Sequence, residues 1–275
     1  MIDPGLFERE TALARYISLY SGSSGNCSIV EEDRKYLMID IGKSARQTAD
    51  AMKELGLDPD LLLGILISHE HIDHVRGLRV FLKKNRAPVF TNPYTLEKLE
   101  DEDCLPADAM VFEMGEGVVE VGPFRVEGFY VPHDSRACMG YRITTQSGSV
   151  MSIVTDIGFV SENTYSWLSG SDLVVIESNY DEQMLRNGPY PASLKFRVAS
   201  KHGHLSNTDC SRTVLRLIEE GTMNIHLCHL SENNNTPRTA LMEVVNMAKK
   251  NGIVLPEELN LKINRRHEIT PPTEF

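Results

Sequence analysis

Short apolar and alternating stretches divide the chain into predicted strands and helices. The most apolar stretch, Leu61 to Ser68, is too short for a typical helix and is predicted to be a buried strand. Alternating or apolar runs between turn residues predict further strands over 16–20, 27–30, 36–41, 89–91, 118–121, 124–130, 140–145, 149–155, 174–177 and 224–228. Apolar residues at helical spacing predict helices over 44–55, 74–84, 208–219 and 236–250.

The order of these elements predicts the architecture. The strands form two groups with helices interspersed, which favours an α/β fold of two packed sheets with helices outside. Asn207 or Thr208 is predicted to cap the third helix, and Pro237 to occupy the first turn of the last one. Residues 1–15 are predicted to be an N-terminal extension of a single domain spanning 1–275.

The segment from His69 to His74 carries the strongest chemical signal in the sequence. It places four potential metal ligands within six residues, between the buried strand and a helix. His69 and His71 project to the same side of an extended loop, whereas Asp73 and His74 lie at the start of the helix. One ion needs only three or four protein ligands, so this pattern predicts two adjacent metal ions. The alternative, a solvated polar loop, is less favoured because the apolar strand brings the segment to a sheet edge.

Composition and charge add two constraints. The apolar fraction of 41% and the charged fraction of 24% are ordinary for a globular protein. The net charge of −11 taken alone argues against a nucleic-acid partner. However, segments 75–96 and 183–208 contain no acidic residue. Their cations are Arg76, Arg79, Lys83, Lys84, Arg86, Arg186, Lys195, Arg197 and Lys201. Such segments could guide a phosphate backbone, and a solvated basic surface is the equally weighted alternative.

The cysteines and the apolar runs bear on location. Five cysteines, with no pair at C-x-x-C spacing, argue against a disulfide framework and against a thiolate zinc site. They favour a reducing cytosol. The N-terminal residues do not resemble a signal peptide, and no apolar run approaches the roughly 20 residues that span a bilayer. We therefore expect a cytoplasmic protein with no membrane partner.

The motif at His69 to His74 resembles the signature of the metallo-β-lactamase superfamily. Single residues at predicted strand ends resemble the other motifs of that family, in the same order along the chain. These residues are Asp40, His133, Asp156 and His229. The resemblance covers nearly the whole chain and implies the αββα four-layer sandwich of that family.

The same resemblance implies a ligand set for two divalent ions. One ion would be held by His69, His71 and His133, and the other by Asp73, His74 and His229. Asp156 would bridge the two ions, Asp40 would support a ligand from behind, and Asp73 would also belong to the catalytic group. Imidazole and carboxylate ligands suit zinc or manganese, with iron possible. Metal-bound hydroxide, formed near neutral pH, would be the nucleophile.

Two further elements favour phosphodiester chemistry. Glu177, in Ile176-Glu-Ser-Asn-Tyr180, resembles an element of the nucleic-acid-processing branch, as in ribonuclease Z. The resemblance implies that Glu177 orients His204, which protonates the leaving oxygen, and imidazole has a suitable pKa for this role. The alternatives are an exposed carboxylate at a strand end for Glu177 and a polar residue near a helix for His204.

In detail the sequence resembles the bacterial YycJ/WalJ group. The shared elements are the loop from Ser21 to Cys27, the Glu177-Ser-Asn element, the segment from Gly203 to Asn207 and the segment from His229 to Pro237. The resemblance implies a DNA exonuclease, acting 5′ to 3′. The expected substrate contacts are Asn26, Arg79, Lys83, Lys195 and Arg197.

Other functions stay open at this point. A cyclic phosphodiesterase would need the same metals and acid. A thioesterase of the glyoxalase II type would not need the pair of Glu177 and His204, and a metal-binding module without catalysis would keep the ligands alone. The sequence leaves the oligomeric state undetermined.

Overall fold

The computed structural model describes residues 13–275. Residues 1–12 of the predicted N-terminal extension lie outside these residues, and Arg15, its last residue, belongs to the first strand. The strands are β1 Arg15–Tyr20, β2 Cys27–Glu32, β3 Lys35–Ile39, β4 Leu62–Leu66, β5 Val89–Thr91, β6 Val111–Glu113, β7 Val118–Val121, β8 Phe124–Val131, β9 Cys138–Thr144, β10 Val150–Val154, β11 Leu173–Glu177, β12 Asn224–Cys228, β13 Asn260–Ile263 and β14 Thr273–Glu274.

Helices connect these strands along the outside. They are α1 Ala45–Glu54, α2 Ile72–Val75, α3 Leu78–Leu82, α4 Pro93–Asp101, α5 Glu162–Leu168, α6 Glu182–Asn187, α7 Ala192–Val198, α8 Asn207–Glu219 and α9 Pro237–Lys250, with a 3-10 turn at Pro59–Leu61. Within residues 13–275, no helix is both long and apolar enough to cross a bilayer.

The strands form two seven-stranded sheets, which confirms the predicted α/β architecture. The first sheet has the order β14-β1-β2-β3-β4-β5-β6, and the second has the order β13-β12-β11-β10-β9-β8-β7. The core follows from the alternation of side chains along each strand. One face of each sheet packs against the other sheet, as Leu37 and Val175 do. The opposite faces pack against helices, as Met38 does in the first sheet and Ile176 in the second. The result is the four-layer αββα sandwich.

Each predicted strand corresponds to an observed one, with ends that agree within two residues. The predicted helix over 74–84 is wrong, because two short helices, α2 and α3, take its place. Gly77 separates them where the chain passes very close to α1, since a β-carbon at Gly77 would lie 2.3 Å from the Lys43 carbonyl oxygen. The predicted cap of α8 is also wrong. Ser206, rather than Asn207 or Thr208, accepts the capping hydrogen bond from the Asp209 N–H.

The chain links the two sheets near its C-terminal residues. β13 is an edge strand of the second sheet, and β14 is an edge strand of the first, paired antiparallel with β1. The segment between them keeps contact with β1, since the Thr270 N–H donates to the Ser18 carbonyl at 2.9 Å. The Phe275 N–H donates to the Ala14 carbonyl at 3.0 Å. This segment therefore holds the two sheets together at one side of the sandwich.

A buried histidine lies at this junction. His226 on β12 has no exposed surface, and its ring nitrogens contact Asn264 Oδ1 at 2.7 Å and Thr273 Oγ1 at 2.8 Å. Burial is the main cause that lowers the pKa of His226 to about 4, with a smaller contribution from Lys262 and an opposing one from Asn264. A protonated imidazole is therefore disfavoured in the folded protein.

We expect this histidine to make the fold sensitive to acid. Its folded-state pKa lies below the value of about 6.5 in an unfolded chain, so its contribution is complete above that pH and is lost as the pH falls towards 4. Between pH 7 and pH 4.5 the wild type should lose roughly 2–3 kcal/mol more unfolding free energy than His226→Gln. Urea unfolding at the two pH values measures this. The metal-site histidines titrate alike in both proteins, so equal losses would contradict the prediction.

Candidate active site

Strand direction brings the predicted site residues to one edge of the sandwich. β3 and β4 are parallel, and so are β10, β11 and β12. β8 has the same direction as β10, because both are antiparallel to β9. Carboxyl ends of parallel strands meet at the same sheet edge, where loops can expose polar side chains. The residues are Asp40 after β3, His69 and His71 after β4, His133 after β8, Asp156 after β10, Glu177 at the end of β11 and His229 after β12.

Three of these residues have an unusual backbone. Asp40, Asp156 and His229 adopt positive φ angles of 61°, 53° and 53°. This left-handed region is uncommon for residues other than glycine, and such conformations cluster at functional sites. Each turn immediately follows a strand. The backbone thus changes direction at the points where these side chains enter the site.

The side chains form two adjoining ligand groups. Donor atoms of His69, His71 and His133 lie within 4.8 Å of one another, and so do those of Asp73, His74 and His229. Asp156 lies between the groups. Its Oδ1 is 3.7 Å from His133 Nε2 and 3.6 Å from His229 Nε2, and its Oδ2 is 3.1 Å from His74 Nε2. The structure thus brings together every ligand that the sequence predicted, with Asp156 in a bridging position.

Hydrogen bonds behind the rings fix which nitrogen faces the site. His133 Nδ1 lies 3.0 Å from the Gly203 carbonyl oxygen, which can only accept, so this nitrogen carries the proton. His74 Nδ1 is 2.7 Å from Asp40 Oδ2, and it donates in the same way. The lone pairs of both rings therefore lie on Nε2, towards the centre of the site. A carboxylate or carbonyl behind a histidine is the usual arrangement around a metal ligand.

The inward-facing nitrogens show that the residues fit a metal. The Nε2 atoms of His69, His133 and His229 are buried and have no hydrogen-bond partner within the described residues. Buried polar atoms rarely lack a partner, so three such atoms around one carboxylate indicate a group that fits a cation. The field agrees. Burial alone would lower the pKa of His229, yet Asp156, Asp73 and Glu177 raise it to about 10. These three carboxylates therefore favour positive charge at His229.

Glu177 connects the ligands to His204. Its Oε1 is 2.8 Å from His204 Nδ1 and 2.7 Å from His229 Nδ1, and its Oε2 accepts from the N–H groups of Ile157 and Leu205. Burial alone would raise the pKa of Glu177, but the two histidines hold it below its ordinary range. Burial would lower the pKa of His204, and Glu177 raises it. The buried, bonded Glu177 is not an exposed strand-end carboxylate.

Donor atoms of Asp156, Glu177, His204 and His229 also lie close enough for a further cation. The short contacts in this group are the bonds from the two Nδ1 atoms to Glu177 Oε1. A proton already occupies each of these contacts. We therefore interpret the group as a hydrogen-bonded array behind the ligands.

The predicted substrate contacts differ in burial and in whether they already have a partner within the protein. Asn26 is buried, accepts from the Gly22 N–H at 2.7 Å and lies 3.1 Å from His74 Nε2, which suits a positioning role. Arg79 pairs with Asp103, and Arg197 with Asp134. Lys195 donates to the Arg186 carbonyl oxygen, and Lys83 is exposed. Gly77 divides the predicted helix between Arg76 and Arg79, whereas Arg79 lies in α3 and Lys83 caps the end of the same helix.

Sequence reasoning missed several supporting residues. Ser68 donates to both oxygens of Asp40 and lies 3.1 Å from His69 Nδ1. Asn179 donates to the His229 carbonyl oxygen at 2.8 Å. Both stand next to motif residues, and that proximity was the available signal. Gly203 contributes a carbonyl oxygen, and no side-chain pattern could have indicated that.

Comparison with known proteins agrees with this geometry. The sequence matches the beta-lactamase superfamily domain over residues 35–227. Bacillus subtilis YhfI, a metallo-β-lactamase fold protein, superposes with a TM-score of 0.69 at 14% identity, over 94% of this chain and 99% of YhfI. The short form of human tRNase Z gives a TM-score of 0.60 at 14% identity, over 93% and 98%. The chain belongs to the metallo-β-lactamase superfamily, whose fold is associated with divalent metal ions.

Two curated relatives identify the group within this superfamily to which the chain belongs. Exodeoxyribonuclease YycJ of Bacillus anthracis is 35% identical over 245 residues, which cover 88% of this chain and 92% of the relative. Exodeoxyribonuclease WalJ of Streptococcus pneumoniae D39 is 33% identical over 265 residues, which cover 95% and 98%. These matches place the chain in the YycJ/WalJ group and identify it as a hydrolase.

Proposed function

We propose that this enzyme is a dinuclear, metal-dependent phosphodiesterase that degrades DNA as an exonuclease, from the 5′ to the 3′ end. The observation that carries the proposal is the Glu177–His204 pair beside the ligand groups, with His204 Nδ1 2.8 Å from Glu177 Oε1 and 3.7 Å from Asp156 Oδ1. A phosphodiester expels an alkoxide, which needs a proton, whereas a thioester expels a thiolate, which does not. The pair thus favours phosphodiester cleavage.

The two ligand groups would hold zinc or manganese. Bound divalent ions supply Lewis acidity towards a phosphate and a nucleophile at neutral pH. Asp40, Glu177 and the Gly203 carbonyl oxygen keep three of the imidazoles in the required tautomer. Ligand orientation therefore depends on these buried hydrogen bonds behind the imidazoles.

His204 is placed to deliver the proton. Its Nδ1 is engaged by Glu177, so Nε2 is the atom available to a substrate. His204 lines a cavity of about 150 Å³ together with Ser23, Asn179, Tyr190 and Arg197, so the leaving oxygen can approach the ring there. We infer that the leaving nucleotide enters this cavity. Arg197 would contact it there by exchanging its present partner Asp134, which lines the same cavity.

The relatives support DNA as the substrate, since both are named exodeoxyribonucleases and each aligns over most of its length. The other predicted contacts fit less directly. Arg79 and Lys195 have partners within the protein, while Lys83 is exposed and can meet a phosphate. Arg79 and Lys195 would contact flanking DNA by exchanging their present partners, and Lys83 would contact it directly.

A turnover panel tests the proposal. Protein loaded with zinc or manganese is offered single- and double-stranded DNA, RNA, cyclic nucleotides and S-lactoylglutathione, with the DNA labelled at either end. We expect nucleotides to be released from DNA, beginning at the 5′ label. Release beginning at the 3′ label would contradict the direction. Thioester turnover faster than DNA turnover would overturn the phosphodiesterase proposal.

A further inference from the structure

Lys43 is a buried cation without an acidic partner. The residue is only 7% exposed, and its Nζ donates to Ser24 Oγ at 2.9 Å. Among residues 13–275, no carboxylate forms an ion pair with it. Buried charges are normally paired, because taking an unpaired charge out of water is costly. Its Nζ also lies 5.7 Å from the centroid of the Tyr20 ring. Neither the Ser24 hydroxyl nor the ring carries a net negative charge, which suggests that Lys43 is arranged for an anion that the protein does not itself supply.

Two arginines strengthen the positive charge around this lysine. Burial lowers the pKa of Lys43, the charges of Arg76 and Arg266 lower it further, and Glu232 opposes them. Glu232 forms no ion pair with any of the three within the described residues. Arg266 is half-buried and donates to the Leu230 carbonyl oxygen. Gly77, the residue after Arg76, packs against the Lys43 backbone, since a β-carbon there would lie 2.3 Å from the Lys43 carbonyl oxygen. Three cations thus lie near one another in a chain whose net charge is −11.

The loop from Ser21 to Asn26 lies between these cations. A β-carbon at Gly22 would lie 3.0 Å from Arg266 Nη1, and one at Gly25 would lie 2.8 Å from the Lys43 side chain. Both glycines have positive φ angles, 106° and 141°, which other residues rarely adopt. The loop can therefore pack tightly against both cations only with glycine at these positions.

The same loop borders the ligand groups. At its end, the Asn26 N–H donates to the Asp73 carbonyl oxygen at 2.8 Å. Ser23, at its tip, lines the His204 cavity. Ser21 and Arg266 line a separate groove of about 570 Å³, a volume typical of small-ligand sites. The loop from Ser21 to Asn26 would therefore separate an anion held by Lys43 from a phosphate bound at the ligand groups.

We propose that Ser24, Lys43, Arg76 and Arg266 form a second phosphate subsite, which binds a phosphate of the substrate strand next to the one being cleaved. Lysine provides a compact charge and arginine a two-pronged donor, and both suit phosphate oxygens. The subsite rests on the proposed nuclease function. A terminal phosphate and the next phosphodiester have the same chemistry, so either can occupy it.

Lys43→Gln tests the subsite, because glutamine keeps a hydrogen-bond donor near Ser24 and removes the charge. Losing one charge-assisted contact should raise the KM for an oligonucleotide about 10-fold or more. The ratio of kcat/KM for the oligonucleotide to kcat/KM for bis(p-nitrophenyl) phosphate should fall by the same factor, since that ester has a single phosphate. The salt dependence of DNA binding should lose about one unit of slope.

Matched variants keep the test interpretable. Lys53→Gln changes an exposed lysine on α1 and should leave the ratio as in the wild type. Arg76→Gln changes an exposed residue, so it folds even if Lys43→Gln does not, and it should lower the ratio in the same direction. Oligonucleotides with phosphate or hydroxyl ends identify the occupant. A preference for phosphorylated ends that disappears in Lys43→Gln indicates a terminal phosphate, and equal KM effects on both indicate an internal one.

Three outcomes would count against these conclusions, and they can be told apart. Equal losses on oligonucleotide and small ester in Lys43→Gln would assign Lys43 a structural role and overturn the subsite. Unchanged KM values in both Lys43→Gln and Arg76→Gln would also overturn it. A wild-type protein that cleaves the small ester but no oligonucleotide would overturn the proposed nuclease function, and the subsite with it.

Discussion

Replacing His204 with alanine should lower turnover of DNA by roughly 10²-fold or more, within the usual range for general acid catalysis. The variant should keep its fold and its metals, because His204 is not in either predicted ligand group and part of its side chain is exposed. Steady-state turnover, metal content and thermal unfolding check the three parts of this expectation. His202→Ala is the matched control, since His202 is an exposed histidine two residues away.

The leaving group separates an acid from a binding residue. A nitrophenyl ester releases a stable anion that needs no proton, so His204→Ala should lose little activity on it. Equal losses on DNA and on the activated ester would contradict the acid role. Glu177→Gln should differ from His204→Ala, because Glu177 Oε1 also bonds His229. It should weaken metal binding by roughly 10–100-fold, as changes behind a ligand often do.

Loss of a ligand should have a still larger effect. Loaded wild type should carry about two ions per chain. His69→Ala should mainly lose the ion of its own group, and His74→Ala the other. Either change should cost more activity than the roughly 10²–10⁴-fold of an acid, because the nucleophile itself depends on both ions. Elemental analysis of dialysed protein measures the ions, and activity is assayed in parallel.

The control for the ligand variants is His226→Gln, which changes a buried histidine outside the ligand groups. It should retain the wild-type metal content at neutral pH. If the wild type binds at most one ion under saturating zinc or manganese, the prediction of a dinuclear site is wrong. Loss of both ions in each ligand variant would instead indicate that the two groups bind cooperatively.

The ligand residues could be predicted because their signals are local. His69 to His74 is a compact motif, and the other ligands stand at the ends of strands whose apolar patterns are clear. Strands β6, β13 and β14 escaped prediction, because their residues are partly exposed and their pattern is weak. Helices α4 to α7 escaped as well, since each is short and buries few residues.

Side-chain partners were harder to predict than ligands. Arg79 pairs with Asp103, and Arg197 with Asp134, 63 residues earlier in the chain. Nothing local to either arginine indicates that a carboxylate will arrive there, so both were predicted as free cations. The bond between Glu177 and His229 was not predicted for the same reason, since it joins residues 52 positions apart. Lys43 was overlooked because its significance depends on the partners that it lacks.

The pairing of β1 with β14 has a consequence during synthesis on the ribosome. β1 is made early, but its neighbour on that side is made after nearly all of the described chain. Throughout this interval the nascent protein exposes an unpaired strand edge, which is a template for pairing with other chains. The first sheet can otherwise assemble, yet this edge stays open until β14, which follows β13 in the chain, has been made. Newly made chains are therefore most exposed to intermolecular pairing just before this last strand docks.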